Sequence, residues 1–404
     1  MTDRLYYLDA YCRLFDATVI RARDHEGRPA VTLDRTAFYP TSGGQPFDVG
    51  LLGTAHVLET IDVDEDVVHV LSAPLEPGAA VTGEIDWSRR FDHMQQHTGQ
   101  HLLSAAFDRL FDNRTVGFHM GAEVSTIDLA REGPSAEIER AVDEANRVVW
   151  EDHPVSVRFV GQEEAATLPL RKESAREGTL RLVEIAGFDL SACGGTHVSR
   201  TGAVGMIAVL SWERLRGGSR VTFACGNRAL GTLRVYRDAV AGSVRTLSVV
   251  PADLPSAVER VQMESRDLRK QVRGLQDQVA VHEGARIAAL AVHVGGVDLV
   301  VETVVGWDPG ALKSLAVAVT VSRPVCVVLL SPGPPISIVI ACSVGISIDA
   351  NSALKQLVSQ FGGKGGGKRE MAQGGGLTGS VEQIASAARA VLESMLSPGA
   401  SGSQ

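Results

Sequence analysis

The chemistry in this sequence begins at HTGQHLLSAAF, residues 97–107, where His97 and His101 stand four apart ahead of an apolar run. That spacing puts both imidazoles on one helical face, about one turn apart. It suits two ligands of one zinc ion; two histidines packed against a core are the alternative. A second pair, Cys193 and His197, lies in SACGGTHV, residues 191–198. Gly194 and Gly195 argue against a regular helix there and permit a tight turn, with Thr196 placed to fix the loop. A thiolate and an imidazole on such a turn would complete an N/S set of four; a core cysteine beside a surface histidine is the alternative. Cys/His ligation favours zinc over other divalent ions. Four protein ligands make a closed, structural site, whereas a catalytic site keeps one position open. The sequence leaves that choice open. His93, one turn before His97, is either a group behind the ligands or an exposed histidine at the helix end.

Two glycine-rich stretches stand apart from these pairs. In FYPTSGGQPFDVG, residues 38–50, Gly43 and Gly44 mark a tight backbone with exposed N–H groups, and Gln45 offers an amide donor and acceptor. Such a loop can hold a carbonyl, a phosphate or an adenosine edge; a plain hairpin connection is the alternative. In FGGKGGGKREMAQGGG, residues 361–376, glycines including Gly365 and Gly366 let backbone amides approach a phosphate, while Lys364, Lys368 and Arg369 supply charge. A flexible glycine-rich loop is the alternative.

The elements that must position these residues are legible in outline. Residues 1–90 are strand-like, with β-branched runs and turns marked by GG, PG and HEG, and predict a small β-barrel or sandwich. From 91 to 112 the pattern is helical. A second helix covers SAEIERAVDEANRVVWED, with Ser135 as N-cap and Glu137 and Glu139 in the first turn. Strands follow in VSVRFVG, TLRLVEIAGFDL, AVGMIAVLSWERL and SRVTFACG, so residues 91–245 read as an α+β domain. Residues 250–290 predict a long helical spacer or coiled-coil arm, weakened by Gly274 and Gly284. Residues 291–396 alternate strand and helix as a small α/β domain, and 397–404 predict a disordered tail. The fold class is α+β overall.

Bulk properties bound the rest. A chain of 404 residues predicts two to four domains. A net charge of −9 argues against a generic polyanion binder but permits local basic patches, such as Arg214, Arg216 and Arg220. Five cysteines make no disulfide framework; Cys326 and Cys342 read as buried thiols, and Cys12 and Cys225 have no motif. The start, MTDRLYYLDAYCRLF, lacks a signal-peptide pattern, and the most apolar runs are short and broken by Pro or Gly. The expectation is a cytoplasmic protein with no membrane span.

HTGQHLL followed by CGGTHV, and preceded by FYPTSGGQPFDVG, resembles the alanyl-tRNA editing domain of alanyl-tRNA synthetases and of the free-standing AlaX proteins. The His-x-x-x-His and Cys-x-x-x-His pairs are similar to those of the threonyl-tRNA synthetase editing domain, while the Gly-Gly-Gln barrel resembles the alanyl branch. Residues 361–376 resemble the glycine-rich signature of the DHHA1 domain, which ends alanyl-tRNA synthetases and the long AlaX form.

The resemblance implies a trans-editing hydrolase that deacylates mischarged tRNA(Ala), chiefly Ser-tRNA(Ala) and also Gly-tRNA(Ala), with one Zn2+ per chain on His97, His101, Cys193 and His197. It implies that Gly43, Gly44 and Gln45 line the substrate pocket, that Gln45 and Thr36 are catalytic, and that Thr36, in DRTAFYP, reads the serine hydroxyl. It also implies tRNA contacts at Lys364, Gly365, Gly366, Lys368 and Arg369, and a homodimer through the C-terminal region. Gly99 stands where some relatives have alanine, which suggests a close approach of substrate. No aminoacylation domain precedes the barrel, so the chain is expected not to charge tRNA. A tRNA-binding protein with a purely structural zinc is the second reading. A DHHA1-associated phosphoesterase would need an Asp-His-His metal motif that the sequence lacks.

Overall fold

The computed structural model describes residues 1–171 and 178–396; the tail expected at 397–404 lies outside the described residues. The chain forms two compact units, Met1–Ser243 and Val244–Gln404.

In the first unit, six strands close into an antiparallel barrel in the order Leu14–His25, Arg28–Leu33, Asp66–Leu71, Ala55–Val63, Gly50–Leu52, Ala80–Ile85, the last pairing back to the first. Alternation along the strands sends Val19, Val31, Leu52, Val57 and Leu71 into one buried cluster with Phe38. The Gly-Gly-Gln loop leaves this barrel between Arg35–Thr36 and Gly50–Leu52.

Helix Trp87–Phe111 follows, capped by the Asp86 side chain, which accepts from Arg89 N, and ended by Asp112 in the left-handed region at φ 47°. It is buried from His93 to Phe107. Helix Ser135–Trp150 packs on it through Ile138, Ala141, Ala145 and Val148. Ser135 is the first helical residue and not the cap: Pro134 takes that place, with no side-chain hydrogen bond. A four-stranded sheet runs in the order Ile207–Leu215, Gly218–Cys225, Ser125–Leu129, Thr115–Met120. A three-stranded one runs Val155–Val160, Leu180–Ile185, Asp189–Ala192.

Gly99 has a packing reason and not the substrate approach suggested by the sequence. A Cβ there would lie 2.2 Å from Cys225 Sγ, on the strand behind the helix.

The second unit carries helix Leu254–Ala288 and a six-stranded mixed sheet, Val292–Val294, Val297–Thr303, Cys326–Ser331, Ile336–Cys342, Met371–Leu377, Lys364–Gly367. Among the described strands of this sheet only Val297–Thr303 and Cys326–Ser331 pair in parallel, with helix Pro309–Ser322 between them in sequence. Cys326 and Cys342 are direct cross-strand partners joined as a disulfide, which corrects the reading of two separate thiols. Lys364, Gly365, Gly366, Lys368 and Arg369 are exposed at the sheet edge and the turn after it. Among the described residues no helix is long and apolar enough to cross a membrane.

Candidate metal centre

One donor atom from each of His97, His101, Cys193 and His197 lies within 4.8 Å of all the others. Helix Trp87–Phe111 supplies the first two, one turn apart. The turn after strand Asp189–Ala192 supplies the others. Cys193 Sγ is 3.4 Å from both His97 Nε2 and His197 Nε2. The turn can come this close only because residue 195 is glycine: a Cβ there would sit 2.1 Å from His97 Cε1.

Each imidazole is held from behind through Nδ1. His97 Nδ1 meets Gln45 Oε1 at 2.8 Å, His101 Nδ1 meets Asp189 Oδ2 at 2.8 Å, and His197 Nδ1 meets Thr98 Oγ1 at 3.1 Å. With Nδ1 so engaged, Nε2 of each ring is the free donor. Three imidazoles and a thiolate, oriented by an amide, a carboxylate and a hydroxyl, fit a zinc-type ion.

The electrostatics agree. Burial raises the Cys193 thiol, but His97, His197 and His101 outweigh it and hold it well below its ordinary value. Burial, and then the neighbouring His97, push His197 down to about 3, against the opposing pull of Cys193. For His101 burial is outweighed by Asp189 and Cys193, so it titrates above its ordinary value. Burial raises the Asp189 carboxyl, yet His101 and Arg171 hold it well below the usual range; Arg171 Nε is 2.6 Å from Asp189 Oδ1.

The cluster forms part of the wall of a cleft of about 610 Å³. His97, His101, Cys193 and Gly43 line it, together with Tyr39, Gln100 and Phe118; His197 does not. Phe118 stacks on His97 with ring centroids 5.5 Å apart. Gln100 Nε2 donates to Ser104 Oγ, which also accepts from Thr115 Oγ1.

Several residues singled out in the sequence sit elsewhere. Gln45 is fully buried: besides His97 it accepts from Thr196 N and donates to Thr196 Oγ1. It faces the metal ligands and not the cleft. Gly44, at φ 87°, packs so tightly that a Cβ would lie 2.9 Å from Phe118. Thr36 is also fully buried; its hydroxyl meets His69 Nε2 at 2.8 Å and accepts from Phe38 N. Neither side chain is among the residues that line the cleft. His93 is buried, not an exposed helix-end group; burial and then Arg89 and Arg228 push it down to about 3, and its Nδ1 has no partner among the described residues.

Sequence reasoning missed Asp189, Thr98, Arg171 and Arg181. One signal was available. In Asp189-Leu190-Ser191-Ala192-Cys193 the strand period puts the acid and the thiol on the same face.

A barrel, an α+β layer and a Cys/His cluster at a cleft define a class that the comparisons with known proteins make specific. Residues 180–221 match the threonyl and alanyl tRNA synthetase second additional domain, and residues 296–394 match the DHHA1 domain. The chain is 31% identical over 387 residues to the alanyl-tRNA editing protein AlaX-L of Pyrococcus horikoshii, covering 93% of this chain and 94% of that protein. It belongs to the alanyl-tRNA editing protein family. It is also 33% identical over 394 residues to the alanine–tRNA ligase of Pyrococcus abyssi, covering 92% of this chain but only 42% of the ligase's length. Among solved structures, the C-Ala domain of Aquifex aeolicus alanyl-tRNA synthetase matches 27% of this chain and 98% of its own, at 26% identity and a TM-score of 0.24.

Proposed function

We propose that the chain hydrolyses the aminoacyl ester of mischarged tRNA(Ala), chiefly Ser-tRNA(Ala) and also Gly-tRNA(Ala), with one zinc ion on His97, His101, Cys193 and His197. The observation that carries the reading is the wall position of the cluster: three of its four donor residues line the cleft. A purely structural zinc needs no such opening. When bound there, zinc supplies Lewis-acid polarisation or a lowered water pKa.

The chain's own residues do the positioning. Gln45, Asp189 and Thr98 fix the three rings in one tautomer. Thr36 fixes the turn that brings Tyr39 to the cleft. Serine differs from alanine by one hydroxyl, and a pocket cannot sterically reject the smaller residue. Selectivity then needs a polar partner that alanine leaves unpaired. Since the Thr36 hydroxyl is engaged inside the barrel, Gln100 and Thr115, which line the cleft and are tied together from behind by the buried Ser104 hydroxyl, take that part in this reading.

Residues 1–90 and 91–245 are then the editing part, 250–290 the spacer and 291–396 the DHHA1-like part, working on charged tRNA in the cytoplasm. The exposed Lys364, Lys368 and Arg369 contact tRNA in this reading. Self-association through the C-terminal region has no observation behind it.

The deciding experiment is deacylation of Ser-tRNA(Ala) and Ala-tRNA(Ala) with metal content measured on the same sample. Rapid loss of serine with alanine spared, one zinc per chain, and loss of both metal and turnover in Cys193→Ala are expected. Zinc present with neither ester cleaved would leave a tRNA-binding protein with a structural ion.

A further inference from the structure

Among the described residues the charged lining of the cleft is lopsided for a protein of net charge −9: apart from the metal ligands, it holds Arg4, Arg114, Arg171 and Arg181 against Asp62 and Asp108. Three of these arginines are paired. Arg4 meets Asp62 at 2.6 Å, Arg171 meets Asp189 at 2.6 Å and Arg114 meets Asp108 at 4.0 Å.

Arg181 differs. It is only 8% exposed and has no carboxylate partner among the described residues. Nε donates to Tyr7 O at 3.0 Å and Nη1 to Cys193 O at 2.7 Å, while Nη2 has no partner among the described residues. Its guanidinium carbon lies 5.6 Å from the centroid of the Tyr7 ring, which also lines the cleft. A guanidinium stays charged in proteins, and with the nearby Cys193 thiolate but no carboxylate among the described residues to offset it, this buried charge is costly. Its fork of N–H donors matches phosphate oxygens. The second of its two carbonyl contacts is a metal-ligand residue, so the charge stands beside the cluster.

The geometry points to Arg181 as the anchor for the phosphate that joins the last two nucleotides of the tRNA end, with Tyr7 as the ring beside the terminal nucleoside. This rests on the deacylase reading only in that the reading brings the tRNA end to the cleft. In the terminal nucleotide the ester and this phosphate sit on opposite sides of one ribose. The two contacts of Arg181 therefore set the distance between the held phosphate and the cluster.

The test is a binding measurement, independent of turnover. Uncharged tRNA(Ala) is compared with the same tRNA trimmed of its terminal adenylate. The wild-type protein is expected to bind the intact end about tenfold more tightly, the order of one charge-assisted contact. In Arg181→Gln, with metal content unchanged, that preference shrinks to about twofold or less. The slope of log Kd against log salt for the intact tRNA falls by about 0.7. An unchanged preference and slope in the variant would overturn the assignment. If the variant misfolds, calorimetry on the wild-type protein decides. Tighter binding of 5′-adenosine monophosphate than of adenosine supports the phosphate contact, and equal affinity overturns it. A protein that shows the preference without cleaving esters loses the deacylase reading and keeps this one; the reverse result does the opposite.

Discussion

His97 backs onto an amide, His101 onto a carboxylate and His197 onto a hydroxyl, and these partners differ in what their loss should do. Asp189→Asn removes the negative charge that supports His101 while keeping the shape. Metal affinity should fall about 10- to 100-fold with the fold retained, as read by competition with a chromophoric chelator. A second residue gives a pH signature. Burial holds His69 down to about 4, with Nδ1 on the Val31 carbonyl and Nε2 facing the Thr36 hydroxyl. The unfolded chain takes up this proton near pH 6.5 and the folded barrel does not until about pH 4. Stability is therefore full above the unfolded value and is lost as pH falls through that window, by about 3 kcal/mol. Melting temperatures across pH 4 to 7 should show a smaller drop in His69→Gln than in the wild type. The four metal donors were legible because their residue types and spacing are local. Their backing groups were not, since Gln45, Thr98 and Asp189 meet them across 52, 99 and 88 residues of chain.

At the scale of elements, helix Trp87–Phe111 and strand Gly218–Cys225 meet at a glycine and a cysteine. Gly99→Ala gains about 1 kcal/mol of helix propensity, but its Cβ collides with Cys225 Sγ, and such overpacking costs about 1–3 kcal/mol. The single variant should be destabilised, and Gly99→Ala with Cys225→Ala should recover most of the loss. A denaturant cycle over the two singles and the double measures that coupling. The helix and the strands of this region follow from period and composition alone. What the sequence could not supply is register. The pairing of Cys326 with Cys342, and the place of the Lys364–Gly367 strand at a sheet edge, depend on which strands become neighbours. The N-cap of Ser135–Trp150 slipped by one residue because Pro134 opens that helix without a side-chain cap.

For the whole molecule, the question is how a chain of net charge −9 would hold a polyanion such as the proposed tRNA. Some positive groups gather locally: four arginines line the cleft in the first unit, and Lys364, Lys368 and Arg369 stand together on the second. If each of the latter three meets a phosphate, alanine at all three should lower the salt slope of tRNA affinity by up to about 0.9 per lost contact and leave Ser-ester cleavage at saturating tRNA unchanged. An unaltered slope would remove this edge from the tRNA footprint. The cluster has a further consequence for the first unit. His97 and Cys193 are separated by 96 residues, so an ion at the cluster would act as a removable cross-link fastening distant stretches of chain. Its occupancy would set how long the folded chain survives as well as whether it works, and scarcity of the metal would shorten the lifetime of the protein itself.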